Sequence, residues 1–248
     1  MKEWISGRNP VYEVLQARRR QSFRLMVAKG AEEKGRLQEI IQLASNQKIL
    51  LESVPRSRLD NLADNHQGVA LEVSGYPYTD LQDILDLAQK RKEPLFVLVL
   101  DSIQDPQNLG TLLRTAEAVG VHGVLMPFRR SASVTPAVVH ASSGACEHML
   151  LAQINLAQGI QSLKDAGAWV IGLEGSPEAL PVENARLDGA LAVVVGSEGA
   201  GMRLLVRNSC DLLVKLPMYG KIESLNAAVA GSVVLYLALQ AREKKNKS

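Results

Sequence analysis

Leu95-Phe96-Val97-Leu98-Val99-Leu100, stopped by Asp101 and followed by Ser102-Ile103-Gln104-Asp105-Pro106-Gln107-Asn108-Leu109-Gly110, is the stretch on which the fold class turns. A continuous apolar run of strand length, opened by Pro94 and closed by an acidic residue, suits a central parallel strand buried on both faces. Residues 109–119 then repeat apolar side chains at helical spacing. A second apolar run, Leu191-Ala192-Val193-Val194-Val195, leads into Gly196-Ser197-Glu198-Gly199-Ala200-Gly201. Residues 121–126, 169–173 and 212–216 read as further strands, with helices expected over 151–163 and 223–240. Strands alternating with helices predict an α/β domain built on a mostly parallel sheet.

Upstream, residues 1–75 read as a smaller α/β unit. Asn9-Pro10 suits a helix N-cap followed by proline at the first helical position. Residues 23–27, 48–51 and 68–73 are strand candidates, Leu37, Ile40, Ile41 and Ala44 recur at helical spacing, and a short helix is expected near 57–63. Gly75-Tyr76-Pro77-Tyr78 breaks this pattern, and a polar helix is expected over about 81–91. The predicted organisation is a domain over 1–75, a linker over 76–93 and a larger domain over 94–248.

The 248 residues are 46% hydrophobic and 22% charged, with a net charge of only +2, so the chain is no basic coat for nucleic acid. Local basic clusters occur instead: Arg18 to Arg20, Lys90 to Lys92, Arg129 with Arg130, and Arg242, Lys244, Lys245 and Lys247. Each reads either as a phosphate-contacting patch or as a solvated helix face, and the tail as a frayed end. No apolar run is long enough to span a bilayer, and MKEWISGRNP carries no secretory h-region. Two cysteines cannot form a disulfide framework, so a reducing, cytoplasmic location is expected. Cys146 and Cys210 read as small buried apolar side chains, and His66, His122, His140 and His148 lack metal-ligand spacing, so no metal is expected.

Three loops carry the candidate chemistry. In the first, Asn108 either caps the following helix or faces a ligand, and Arg114 stands among apolar helix positions, where a guanidinium emerges at a cleft or interface. The second has glycines spaced GxxGxG, which permits close backbone approach without matching the dinucleotide or phosphate-loop fingerprints. Glu198 there either caps the next helix, expected to begin near Met202, or joins the site. The third, Leu216-Pro217-Met218-Tyr219-Gly220-Lys221-Ile222-Glu223-Ser224-Leu225-Asn226, sets Ser224 and Asn226 beside an alanine-rich helix, and Met218 suits a flexible pocket wall.

Asp105-Pro106-Gln107-Asn108-Leu109-Gly110 with Leu112-Leu113-Arg114-Thr115-Ala116, then Val195 to Met202, then Leu216-Pro217-Met218 through Ser224-Leu225-Asn226, resemble in order the three motifs of the SpoU or TrmH family of the SPOUT class. Gly7-Arg8-Asn9-Pro10-Val11, His66-Gln67-Gly68-Val69 and Ala141-Ser142-Ser143-Gly144-Ala145 extend the likeness over nearly the whole chain. Within the family the pattern resembles the bacterial subgroup that methylates a guanosine 2′-hydroxyl in 23S rRNA. One departure is Ala227-Ala228, where the third motif often carries Val-Ser.

The resemblance implies an N-terminal L30e-like RNA-binding module and a SPOUT domain with a deep C-terminal trefoil knot, an exception to the unknotted rule. It implies a homodimer that uses S-adenosylmethionine to methylate a ribose 2′-hydroxyl of 23S rRNA or a large-subunit assembly intermediate. Arg114 would engage the hydroxyl, with Asn108, Glu198, Ser224 and Asn226 around it. Gly196, Gly201, Leu216, Met218 and Leu225 would contact the donor. A related tRNA or other-site rRNA methyltransferase, or a non-catalytic RNA-binding or ribosome-assembly protein, shares parts of this pattern.

Overall fold

The computed structural model describes residues 2–222 and 224–246. The chain divides into two compact units, one formed by residues 1–77 with 133–148 and the other by 78–132 with 149–248. Residues 133–148 therefore group with the smaller unit although they interrupt the larger one in sequence.

The smaller unit runs β1 (Lys2–Ser6), α1 (Arg8–Ala17), β2 (Ser22–Ala28), α2 (Arg36–Asn46), β3 (Leu50–Val54), α3 (Arg56–Asp60) and β4 (Val69–Ser74). Its sheet has the order β1-β4-β2-β3, with β4 antiparallel to both β1 and β2, and β2 parallel to β3. Strand β1 went unpredicted: its alternating KEWIS carries a single fully buried side chain, Ile5. Gly7 rather than Asn9 precedes α1, at φ 90°, a left-handed conformation open to glycine at little steric cost. Proline 10 thus lies within the first turn, where a missing N–H breaks no helical bond.

The larger unit begins with α4 (Leu81–Arg91), which lies inside the stretch expected to be a linker. Ile84 and Ala88 of this helix join the core, and an Asp80/Asp83 capping box fixes its start. There follow β5 (Phe96–Asp101), α5 (Pro106–Ala118) and β6 (Gly123–Met126). The excursion into the smaller unit carries α6 (Pro136–Ala141), and the chain returns as β7 (Leu151–Gln153), α7 (Leu156–Asp165), β8 (Trp169–Leu173), β9 (Leu180–Pro181), β10 (Leu191–Gly196), α8 (Leu204–Ser209), β11 (Leu212–Lys215) and α9 (Ala227–Asn246). The helix expected over 151–163 is thus a short strand and a helix, separated by Asn155, whose side chain caps α7 by accepting from the N–H groups of Ala157 and Gln158. Glu223, the expected start of the last helix, and Lys247 of the basic tail lie outside the described residues.

All seven strands run parallel, in the order β7-β6-β5-β10-β8-β11-β9. Every residue of β5 and β10 is buried, as their unbroken apolar runs require. Because β10 inserts between β5 and β8, the loops leaving β5 and β10 emerge side by side at the carboxyl edge, the position where open α/β sheets hold ligands. Near the other edge Arg242 lies 4.8 Å from the Phe96 ring and donates to the carbonyls of Gly189 and Pro94, while Lys245 pairs with Asp188 at 3.1 Å. Two cations of the basic tail, read as a frayed end, are therefore structural anchors. No described helix is long and apolar enough to cross a membrane.

Candidate active site

The first loop is shaped by Asp105, a residue the sequence reading passed over as a cap. Its carboxylate accepts from the N–H groups of Gln107 at 3.1 Å and Asn108 at 3.4 Å, and Pro106 occupies the first helical position. Asp105 therefore satisfies the helix N-terminus, and the side chain of Asn108 is released from capping. Leu112 and Leu113 bury one side of α5, while Arg114 is exposed.

The second loop closes on itself. Ser197 and Gly201 exchange backbone hydrogen bonds of 3.0 Å in both directions. A Cβ on Gly196 would lie 2.3 Å from the Gly201 carbonyl carbon, so only glycine allows this closure. The glycine requirement at 196 thus arises from the loop itself, and Glu198 is lifted into solvent at its tip. Glu198 does not cap the next helix. That helix starts at Leu204, and Arg203 precedes it, its N–H and Nε each 2.7 Å from the buried carboxylate of Asp101. This pair ties the end of β5 to the segment following β10.

The third loop delivers Asn226 as the cap of α9. Its Oδ1 accepts from the N–H groups of Ala228 at 2.9 Å and Val229 at 3.1 Å. Its amide nitrogen donates to Asn108 Oδ1 at 2.9 Å and also to Glu198 Oε1, while Asn108 Nδ2 donates to the same Glu198 oxygen at 3.2 Å. One carboxylate oxygen thus gathers two side-chain amides from two other loops. Ala228 is buried with its N–H in the cap, so the first turn is completed without the hydroxyl often found at this motif position.

Helix packing explains the convergence. Asn108, Leu112 and Thr115 lie at i, i+4 and i+7 on one face of α5. Opposite them, Asn226 bonds Asn108, a Cβ on Gly231 would come within 2.7 Å of Leu112, and Ser232 Oγ lies 2.9 Å from Thr115 Oγ1. Small residues let α9 approach closely, and this close approach sets Asn226 beside Asn108. Arg114 is off this stripe, about 9 Å along the axis from Asn108 and roughly 120° around it. The structure thus joins Asn108, Glu198 and Asn226, and places Arg114 on a separate exposed face of the same helix. Ser224 is exposed on the approach to α9.

The expected donor contacts occupy the same carboxyl edge. Gly196 ends β10, Leu216 follows β11 and is half-buried, and Met218 and Leu225 are 40% and 43% exposed. Apolar side chains left partly in water beside a glycine-rich backbone loop fit a ligand with a flat apolar ring and a polar tail. The cysteines offer no competing nucleophile, since burial pushes both Cys146 and Cys210 up to about 12. His66, His122 and His148 each engage a carboxylate, and among the described residues no cluster of three or more His, Cys, Asp or Glu side chains could hold a metal.

Comparison with known proteins agrees with this geometry. Residues 95–236 match the SpoU rRNA Methylase family, and residues 4–79 match the RNA 2′-O ribose methyltransferase substrate binding family. YacO of Bacillus subtilis (strain 168), placed by its name in the TrmH family of tRNA/rRNA methyltransferases, is 42% identical over 238 residues and covers 94% of each chain. A Staphylococcus aureus (strain COL) protein named for the same family is 45% identical over 211 residues, covering 84% of this chain and 85% of its own. The fold is shared with the SpoU methyltransferase AviRb of Streptomyces viridochromogenes, solved with AdoMet, at a TM-score of 0.81 and 22% identity over 98% of this chain and 91% of that one. An AdoMet-bound rRNA methyltransferase from Sinorhizobium meliloti gives 0.79 and 20% over 96% and 87%. Three motif loops brought to one sheet edge and a family match spanning more than half of the chain lead to one assignment: this protein belongs to the SpoU rRNA methylase family and is an RNA 2′-O-ribose methyltransferase.

Proposed function

We propose that the protein acts as a homodimer on structured tRNA or rRNA, with S-adenosylmethionine as methyl donor. The convergence of Asn108, Asn226 and Glu198 at the carboxyl edge carries this reading, because it fixes three loops around one small volume. The donor supplies a sulfonium-activated methyl group. Gly196, Gly201, Leu216, Met218 and Leu225 would hold it through backbone groups and apolar walls. A ribose hydroxyl is a weak nucleophile, so the protein's task is to align it and stabilise charge on its oxygen. A guanidinium has five donors and no acceptor, which suits Arg114 to the developing oxyanion, with the proton leaving to phosphate or water. Glu198 positions the two asparagines, and Ser224 lies next to the donor walls in sequence.

In the smaller unit, Arg8, Lys29, Arg36 and Arg56 line a cavity of about 770 Å³ that holds one acidic residue, Glu32. A cationic concavity of that kind suits phosphate contacts, and with the substrate-binding match it supports an RNA grip there. L30e-like character for this unit and a trefoil knot in the larger one belong to the same reading. The insertion of β10 between β5 and β8, with α9 returning against α5, supports the knot. Val229, Val233 and Tyr236 form an exposed apolar stripe at i, i+4 and i+7 on α9, which supports pairing with a second copy. The names of the relatives favour tRNA or rRNA as a class, and a 23S rRNA guanosine, in free rRNA or an assembly particle of the cytoplasm, is its narrowest member.

Incubation with labelled S-adenosylmethionine and separate rRNA and tRNA pools, followed by nucleotide-resolution mapping of 2′-O-methylation, tests this. Arg114→Ala is expected to lower transfer at least about 100-fold while donor binding stays nearly unchanged. Donor binding without transfer to either pool, or transfer to a base atom, would overturn the reading.

A further inference from the structure

Outside the motif loops, the larger unit contains a cavity of about 310 Å³. Phe128, Arg129 and Arg130 enter it from the loop after β6, Asn155 from the turn after β7, and Arg203 and Leu205 from the start of α8. None of the expected donor contacts lines it. We infer that it is a second RNA subsite, in which the base of a nucleotide flanking the methylated one stacks on Phe128 while Arg129 and Arg130 hold its phosphates.

Three observations carry this inference. Phe128 is 69% exposed at the rim and Leu205 66%, so a flat aromatic face and an apolar neighbour stand in water ready for a planar ligand. Several arginines elsewhere are matched to carboxylates: Arg20 to Glu3 and Glu147, Arg24 to Glu52 and Glu72, Arg207 to Glu174 and Glu178. Arg129 and Arg130 have no ion pair with any described residue, so their charge is left for an external anion. Within the same cavity Arg203 is already neutralised by Asp101, which makes it a rigid wall rather than a third free cation. Stacking on an aromatic ring with guanidinium groups on the backbone is how single-stranded nucleic acid is held without sequence selectivity.

Position agrees with the chemistry. The order β7-β6-β5-β10 sets the cavity at the carboxyl end of β6 and β7, and the Asn108–Glu198–Asn226 cluster at the carboxyl end of β5 and β10. Neighbouring strands lie about 4.8 Å apart, so the two are separated by roughly 10 Å along one edge. Arg203 joins them physically, since it lines the cavity and bonds Asp101 at the end of β5. An acidic peptide could satisfy the arginines but would leave the exposed Phe128 face without a planar partner.

The subsite rests on the RNA methyltransferase reading. The test uses the full-length protein, a single-stranded RNA octamer carrying 2-aminopurine, whose fluorescence is quenched on stacking, and a poly-glutamate peptide. Phe128→Ala is expected to abolish the quenching and weaken octamer binding about tenfold, within the range for one lost stack, while Phe128→Tyr restores both. Arg129→Ala with Arg130→Ala should lower the slope of log affinity against log salt by about 1.4, two single-strand phosphate contacts. Donor binding should be unchanged in all variants, which shows that they fold. Wild-type quenching, affinity and salt slope in these variants would overturn the subsite, as would loss of peptide binding with RNA binding intact. If the wild-type protein neither binds nor methylates RNA, the parent reading falls with it, a result distinct from the other two.

Discussion

In the smaller unit Arg20 is sealed from water against Glu147 at 2.8 Å and Glu3 at 2.9 Å; in the larger unit Glu198 stands in solvent and gathers Asn108 and Asn226. Both clusters join residues far apart in sequence. Arg20 and Glu147 have no exposed side-chain surface, and Tyr76, which lies 5.2 Å from the Arg20 guanidinium, donates its hydroxyl to the Cys146 carbonyl at 3.1 Å. Such burial costs several kcal/mol per ion unless every charge is matched, so the cluster makes sense as the lock that holds residues 133–148 in the smaller unit. Glu198 locks nothing of that kind. Its neighbours are polar, reachable by a ligand and drawn from the two other motif loops. The difference separates a polar group that builds the protein from one that works on something else.

The largest expected effect is on the lock. Glu147→Ala leaves Arg20 buried with its second carboxylate, Glu3, only partly matching it, and should cost the smaller unit about 3–5 kcal/mol, read from denaturant melts. The paired replacement of Arg20 and Glu147 by methionine should cost less, because no charge is then stranded. A Glu147→Ala protein as stable as wild type would show that residues 133–148 are held by apolar packing alone.

Glu198→Ala is the converse. Stability should change by less than about 1 kcal/mol, as for an exposed side chain. Methyl transfer should fall about 10- to 100-fold, mainly in kcat, because the two amides lose their common acceptor and the loops lose register. An unfolded Glu198→Ala protein, or one with full activity, would break the distinction between lock and site.

Much of this was legible beforehand, for identifiable reasons. The runs 95–100 and 191–195 declare buried parallel strands because every side chain in them is apolar, and they match β5 and β10 closely. Asn108, Glu198 and Asn226 could be grouped only through motif resemblance, since their contacts span 28 to 118 positions of sequence. Local reasoning left Asn108 as a rival cap because asparagine suits that role. The structure gives the role to Asp105, whose neighbour Pro106 was the overlooked signal. The excursion of 133–148 was invisible because its anchor joins residues 127 apart. Arg114 was read as emerging at a cleft or interface and is exposed, yet its separation from the asparagine stripe depends on which face of α5 meets α9, which one helix's periodicity cannot decide.

The smallest effect concerns a buried polar group kept neutral rather than charged. His122, buried in the larger unit, accepts the Phe96 N–H on Nδ1 at 3.0 Å, so its proton sits on Nε2, 3.0 Å from Glu93. Burial holds its pKa below the ordinary histidine value, and the hydrogen bond to Glu93 only partly offsets this. Above pH about 6.5, the unfolded value, both states are neutral and this contribution to stability is complete. As pH falls below that, the unfolded chain binds a proton that the folded one refuses, so stability declines by at most about 1.4 kcal/mol per pH unit until the folded value is reached. Denaturant melts of wild type and His122→Asn between pH 7.5 and 5.5 should differ in slope, with the decline attributable to His122 absent from the variant. Equal slopes would mean that folding leaves the imidazole's proton affinity unchanged. A wild type that holds its stability better than the variant as pH falls would mean that Glu93 keeps the imidazole a cation, a small version of the ionic lock in the smaller unit.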